Sequence, residues 1–456
     1  MGKFKRFLTF GLIASMMAAS VACNSQTTTE LAETTKGGGV ETEASVKEGP
    51  SQESTGDKTV ITWWVWASTD IANQMAKAAF EANPELADKY VIEPVLISSA
   101  TEVVQKFRMM LAAGETMPDI MMFQSEYLSE FAQEGILTDL TDVIGPHKDE
   151  MTMGALNLVS HDTKQWGFPY QIKPSVWVYR ADMFEEAGID VTKVKTTDDF
   201  IAAGKRLQEV YPESYMWQFN STQFPYASLV HILSGNGGSF FDEEGNYILD
   251  SDPGVRAAFE DIKKVYDSGI VYDVVADSTD QQQGFANGIV ASDLTGTWIK
   301  NNLQSWAPDL SGKWEETQWP SIGGGVPGGE GGSMFVVPAN SLNSEGAIEI
   351  LSALSLTVEG NLNAYQERSI YPSLTEAIEN DLLKQPHKYM GESLYGAEAE
   401  ATKNFKSFKY SPKFNSEVDI IVPYLAQYLQ GQATLEEALS GANYDLIVQL
   451  ENAFDN

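Results

Sequence analysis

The chain has 456 residues with 64 acidic against 30 basic side chains, a formal charge of −34, and 43% hydrophobic residues. A surface this acidic repels nucleic acid and anionic lipid head groups and lacks the basic stripe such partners need, so nucleic acid is excluded as a partner. The portion from Lys58 to Asn456 is too long for one hydrophobic core and natural for two domains.

Lys3, Lys5 and Arg6 give a basic start, Phe7 to Ala19 carry no charge, and the small residues Ser20, Val21 and Ala22 lead to Cys23, the only cysteine. A basic region, a short apolar region and small residues before a cut are the parts of a secretory signal, and the apolar run is shorter than the roughly 20 residues of a membrane span. Residues 1–22 are therefore expected to be a signal peptide. A cysteine just after such a cut resembles the lipobox of bacterial lipoproteins, which implies lipidation of Cys23 as the new N-terminus. The other reading is an ordinary secreted protein with an incidental thiol. Asn24 to Asp57 contains no aromatic residue and is rich in Thr, Glu, Gly, Ser and Lys, a composition that cannot offset its ordering entropy. Residues 23–57 thus read as a lipidated cysteine and a disordered tether, reaching roughly 115 Å when stretched.

Val60 to Trp66 is a buried-type strand, rich in β-branched and aromatic residues. Asp70 to Asn83 reads as a helix with Ile71, Met75 and Ala78-Ala79 at helical spacing, ended by Pro84. Val91 to Ile97 is a second strand. Ser99 and Glu102 form a capping box for a helix with Val103, Val104, Phe107, Met110 and Leu111 on its apolar face, stopped at Gly114. Asp119 to Phe123 is a third strand. This β-α-β-α-β order predicts a parallel sheet covered by helices on both faces. Later, Met334 to Val337 reads as a strand, with Ala347, Ile348, Leu351 and Leu354 striping the next helix. Thr434 and Glu437 cap a final helix carrying Leu439, Leu446, Ile447, Leu450 and Phe454.

Catalytic motifs are scarce. The four histidines are far apart, and no HExxH, Cys/His cluster or GxSxG occurs. No metal and no cofactor are expected. The glycine-rich run Gly323 to Gly332 lacks the Lys-Ser/Thr ending of a phosphate loop and reads as a flexible connection between domains. Asp242 to Asn246 has the wrong spacing for a calcium loop and reads as a solvent-facing hairpin turn.

Several blocks then fall in a familiar order. They are Ala113-Gly114-Glu115-Thr116-Met117-Pro118-Asp119-Ile120 with Glu130 to Leu140, Trp166 to Tyr170 through Val178 to Asp190, Gln283 to Gly288 with Gly296-Thr297-Trp298, and Gly431 to Leu439. Together they resemble family 1 extracellular solute-binding proteins, the maltose-binding-protein relatives that feed ABC sugar importers. The resemblance implies an α/β, two-lobed periplasmic-binding-protein-like (type II) fold, each lobe a sheet flanked by helices. A hinge of two or three strands would join the lobes, with lobe 1 at 58–172 and 333–378 and lobe 2 at 173–332 and 379–456. It also implies a monomer that is not an enzyme, a carbohydrate ligand and an ABC permease as partner.

The chain has ten tryptophans, and an indole suits the apolar face of a sugar ring while hydroxyls need charged or amide partners. Trp63 and Trp64 read as core. Trp66 ends its strand beside Ser68 and Asp70, where α/β sheets place ligands, and stands open between cleft and core. Trp298 matches the family's cleft aromatic. After the third strand come Phe123, Ser125 and Glu126. Glu126 matches an acidic sugar ligand of maltose-binding relatives, or is a solvated helix-start carboxylate. Lys173 sits where the maltose-binding pattern has an acid, which argues against maltodextrin. Asp293, Glu330, Gly331, Gly332, Arg368 and Tyr371 are further candidates, and Phe224 and Tyr226 are possible walls of the second lobe or ordinary packing. The leading reading is a lipid-anchored carbohydrate receptor closing about a hinge. The alternatives are a receptor for a non-sugar solute such as a polyamine, and a tethered glycoside hydrolase.

Overall fold

The computed structural model describes residues 58–276, 278–391, 395–403 and 408–454; the signal peptide, Cys23 and the tether lie outside the described residues. Strand β1 (Thr59–Val65) runs parallel to β2 (Tyr90–Leu96) on one side and to β3 (Ile120–Gln124) on the other. Between them, helix Asp70–Ala82 buries Ile71, Met75, Ala78 and Ala79, and helix Ala100–Ala113 is capped by Ser99, whose hydroxyl accepts from the Glu102 N–H at 3.1 Å. Trp63 and Trp64 point to opposite faces, yet both are buried. Two-sided burial is what a strand with helices on each face requires. Asp119 precedes β3 instead of starting it. Its buried carboxylate accepts from the Thr62 N–H and hydroxyl, both at 2.9 Å, and from Ser341 at 2.7 Å, tying β1 to the segment before the later helix Ser344–Ser355.

The sheet is mixed, not purely parallel as the first elements suggest. Apart from a short antiparallel pair, Ser160–His161 with Lys164–Gln165, the remaining strands are β4 (Phe168–Arg180), β5 (Trp217–Phe219), β6 (Val271–Asp273), β7 (Ser292–Gly296), β8 (Trp314–Thr317) and β9 (Gly329–Val336). The order is β8-β4-β9-β3-β1-β2, with β7 also paired to β4, while β5 and β6 form a separate parallel pair. All pairings of β4 and β9 are antiparallel. Residues Gly329 to Gly332, expected as part of a flexible connection, are the start of β9. The register shifts between Gly329 and Gly332, and a Cβ on Gly332 would lie 2.1 Å from the Gln171 carbonyl oxygen. These glycines let two backbones approach at a bulge; they do not loosen the chain.

Strand β4 carries the chain between two cores. Phe168, Tyr170 and Ile172 belong to one that gathers residues from Ile61 to Ile172 and from Met334 to Ala377. Trp177 and Tyr179 belong to a second, drawn from Trp177 to Ile322 and from Phe408 to Ala453. Their alternate neighbours Val176 and Val178 join Phe285, Leu303 and Trp314 in a smaller cluster on the other face, as the period of two dictates. The molecule is two-lobed. The turn at Asp242 is closed by its own carboxylate, which accepts from the N–H groups of Glu244 (3.0 Å) and Asn246 (2.8 Å). The final helix Leu435–Leu450 has the expected capping box and buries Leu439 and Leu446, but Ile447 faces outward at 47% exposure.

Candidate ligand-binding site

Two groups of the candidates lie where strand ends bring residues of the two cores together. Just after β3, Glu126 is 6% exposed. Its Oε1 accepts from the Tyr226 phenol at 2.9 Å, with Gln124 Oε1 also 3.2 Å from that oxygen. The single phenolic proton serves the carboxylate, the nearer and charged acceptor. Tyr226 opens helix Tyr226–Asn236 and packs edge-on against Phe414 of the second core at 5.8 Å. The Glu126–Tyr226 bond therefore reaches from beside the first core to the second. Ser125 is buried next to it, and its hydroxyl accepts from the Gly332 N–H at 3.3 Å. Gly331 follows the same contact: its φ is +104°, and a Cβ there would lie 2.4 Å from Ser125 Oγ. Ser125 and Gly331 line a cavity of about 470 Å³ shared with Ser129, His161 and Tyr410.

A second group centres on Trp298, which is half-buried and precedes helix Ile299–Trp306. A Cβ on Gly296 would come within 1.7 Å of the indole's Cζ3, so the ring lies folded back over a position that only glycine can fill. Lys173 Nζ stands 5.3 Å from the Trp298 ring centroid. That lysine lies on β4 one residue before Pro174, which pairs with Gly329, and two before Ser175, which pairs with Gly296. His231 meets Trp298 edge-on at 5.8 Å and stacks on Trp319 at 5.3 Å. The Trp319 Nε1–H donates to the carbonyls of Val176 (2.8 Å) and Thr295 (2.9 Å), pinning β4 to β7 beneath the cluster. His231 and Trp319 were not singled out from sequence, because each comes from a different element and neither carries a motif.

Other candidates separate. Phe123 is 1% exposed and packs against Phe131 at 5.1 Å, so it is core and not a cleft residue. Phe224, 2% exposed, packs edge-on to Phe219 at 4.9 Å and is likewise core. Tyr371 is buried with Ile378 and Leu383. Asp293 is 2% exposed, enclosed and not open to a cleft. Its Oδ2 accepts from Gln218 at 3.3 Å, its Oδ1 has no hydrogen-bond partner among the described residues, and burial pushes its carboxyl up to about 8. Trp66 is half-buried against the first core, beside Ala67 in the left-handed region at φ 68°. Asp70 is exposed in the first turn of its helix, where its N–H donates to Ser68 Oγ at 3.1 Å. Arg368 ends helix Val358–Arg368, donates from Nη1 to Gln74 at 2.8 Å, and lines a different cavity of about 740 Å³. The side chain of Glu330 is outside the described part of the structure.

Among the described residues, no group of three or more His, Cys, Asp or Glu side chains gathers as a metal site. What the arrangement offers is an aromatic face with a cation above it and a carboxylate–phenol pair, all where the two cores adjoin.

The family model for bacterial extracellular solute-binding proteins matches residues 74–391, well over half of the chain. The chain is 27% identical over 288 residues to an arabinooligosaccharide-binding protein of Bacillus subtilis, covering 61% of this chain and 65%, just under two thirds, of that protein. It is 23% identical over 416 residues to an arabinooligosaccharide-binding protein of Halalkalibacterium halodurans, covering 84% of this chain and 88% of that one. Among solved structures, the ABC transporter associated binding protein from B. animalis subsp. lactis in complex with beta-1,6-galactobiose superposes with a TM-score of 0.73 at 22% identity, covering 87% of this chain and 99% of that one. At that identity the likeness shows the fold, two lobes with a crossing sheet. The relatives are binding proteins, and the family's place is outside the cytoplasm. The chain belongs to the family of bacterial extracellular solute-binding proteins.

Proposed function

We propose that this chain is a lipid-anchored receptor that captures an oligosaccharide between its two lobes and delivers it to an ABC import permease, by hinge closure and without catalysis. The observation that carries the reading is the half-exposed Trp298 indole, folded over Gly296 with Lys173 above it. An indole takes the C–H face of a sugar ring, and an ammonium over the ring donates to the sugar's hydroxyl oxygens. The arabinooligosaccharide-binding relatives and the galactobiose-bound structural neighbour support a sugar ligand.

In this reading lobe 1 comprises 58–172 and 333–378, and lobe 2 comprises 173–332 and 379–456. The change of core between Ile172 and Trp177 supports the first crossing, and that between Ile322 and Met334 the second. Strands β4 and β9 are then the hinge, the Glu126–Tyr226 bond is a latch of the closed form, and the receptor works as a monomer. Cys23 is the lipidated anchor.

The test is a thermal-shift screen against an oligosaccharide library, since a ligand that binds only the folded state raises the melting temperature. Calorimetry and chromatography on the hits would follow. A stabilising sugar recovered uncut is the expected result. A shortened sugar would make the chain a hydrolase, and stabilisation by polyamines alone would replace the sugar with a cationic solute.

A further inference from the structure

The cavity of about 740 Å³ lies between Gln74 with the C-terminal end of helix Val358–Arg368 and the helix Ile299–Trp306. Trp298 immediately precedes that second helix, so Asn301 in the cavity wall is about one helical turn further along. Five of the fourteen lining residues are amides, with Gln74, Asn301 and Gln304 among them. They suit sugar hydroxyls because each offers both a donor and an acceptor.

Charge sets this wall apart from the rest of a chain with 64 acids to 30 bases. Its charged side chains are Arg368, Lys388 and Glu367, and Glu367 is already neutralised by Lys77 at 2.6 Å. His387 is held neutral. Burial, with Lys300 and Lys388 nearby, pushes it down to about 4, and its Nδ1 accepts from the N–H groups of Tyr389 and Met390 at 3.3 Å. The acids that act on Tyr365 in the wall, Glu398 and Glu316, are both buried, and Glu398 is closed by its ion pair with Lys300. The balance left facing the space is cationic. Arg368 donates from Nη1 to Gln74 and lies beside the buried Tyr170, while its Nε is enclosed, with no hydrogen-bond partner among the described residues.

We propose that this cavity takes a carboxylate of the ligand, that of a uronic acid residue, so that the chain captures acidic oligosaccharides. The inference rests on the oligosaccharide-receptor reading above and adds the ligand's charge. Arg368 supplies a fixed positive charge at the carboxylate, Lys388 at the rim adds a second, and the amides hold the flanking hydroxyls.

The experiment is calorimetry with oligogalacturonides and glucuronoxylo-oligosaccharides, each compared with its carboxyl-reduced counterpart of the same length and linkage. The acid form of at least one pair is expected to bind about tenfold or more tighter than its reduced form. Arg368→Gln should narrow that ratio, and so should Lys388→Gln, a substitution at an exposed position that spares the fold if the arginine variant does not. Equal binding of acid and reduced forms, or a ratio unmoved by both substitutions, overturns the proposal and leaves the receptor reading standing. Binding of neutral sugars with none of the acids does the same. No binding of any sugar, acidic or neutral, overturns both.

Discussion

The Tyr226 phenol donates a 2.9 Å hydrogen bond to Glu126 Oε1, so a ring packed on the second core holds a buried carboxylate beside the first. A bond that forms only when the lobes are together adds to the closed state and hence to apparent affinity. Tyr226→Phe keeps the ring packing and removes the donor. Ligand binding should weaken by roughly 1.5–3 kcal/mol, the range for hydrogen bonds to charged groups. Calorimetry gives the loss, and small-angle scattering should show a larger mean radius at equal ligand saturation. Unchanged affinity and unchanged scattering would mean that the pair has no part in closure.

Trp298 allows a test from two directions. Trp298→Ala should cost roughly 1–3 kcal/mol of sugar affinity with a ligand-free melting temperature near wild type, whereas a core tryptophan would cost roughly 3–5 kcal/mol of stability. Gly296→Ala touches no ligand, yet its Cβ would collide with the indole at 1.7 Å. It should displace the ring and impair binding to a similar degree. A Gly296→Ala protein that binds normally would show that the ring position is not used.

Lys173, 5.3 Å above that indole, should lose roughly 1.5–3 kcal/mol of affinity on substitution by alanine. Lys173→Met, which retains the stem's packing, separates charge from bulk. Should Lys173→Met bind as well as the parent, the lysine acts by packing alone.

The part of the fold that could be read from sequence is the part built locally. The β-α-β-α-β run showed itself through caps and periodicity, because each helix between β1 and β3 carries its own apolar stripe. Of the crossing strand β9 only the end from Met334 did, because the glycines before it are dictated by the approach to Gln171, a residue far away in sequence. For the same reason, proximity to a strand end misplaced Phe123, and the sequence left Phe224 open between cleft wall and packing. Position along a strand names the edge of the sheet, but only the alternation against neighbouring elements decides which side chain faces inward. His231 and Trp319 are joined to Trp298 solely by tertiary packing, which no local pattern encodes.

Cys23 lies outside the described residues, and its role is a separate question from the site. If it carries the lipid, Cys23→Ala should release the receptor from the membrane fraction while calorimetry finds the same affinity. Mass spectrometry of wild-type protein that begins at Met1, or that lacks acyl chains, would remove the anchor from the account.

The last expectation concerns pH. Glu417 is 0% exposed, with Oε1 accepting from Tyr247 at 3.1 Å and Ser411 at 2.6 Å, and burial pushes its carboxyl up from 4.5 to about 7. The fold therefore favours the protonated acid, and the stability this gives is fully present below pH 4.5 and is lost as pH rises through 7. The size is on the order of 3 kcal/mol at 1.36 kcal/mol per unit. Asp293, raised from 3.8 to about 8, acts in the same direction over a wider window. His387, lowered from 6.5 to about 4, acts oppositely: its contribution is full above 6.5 and fades as pH falls to about 4. Melting temperature should therefore decline as pH rises from about 4.5 to about 8, most steeply between 6.5 and 7, where both carboxyls titrate and His387 no longer opposes them. In Glu417→Gln the side chain is neutral throughout, so this decline should flatten, whatever constant cost the new amide adds. Melting curves across pH for the two proteins decide it, and parallel slopes would show that the Glu417 carboxyl does not titrate in that window.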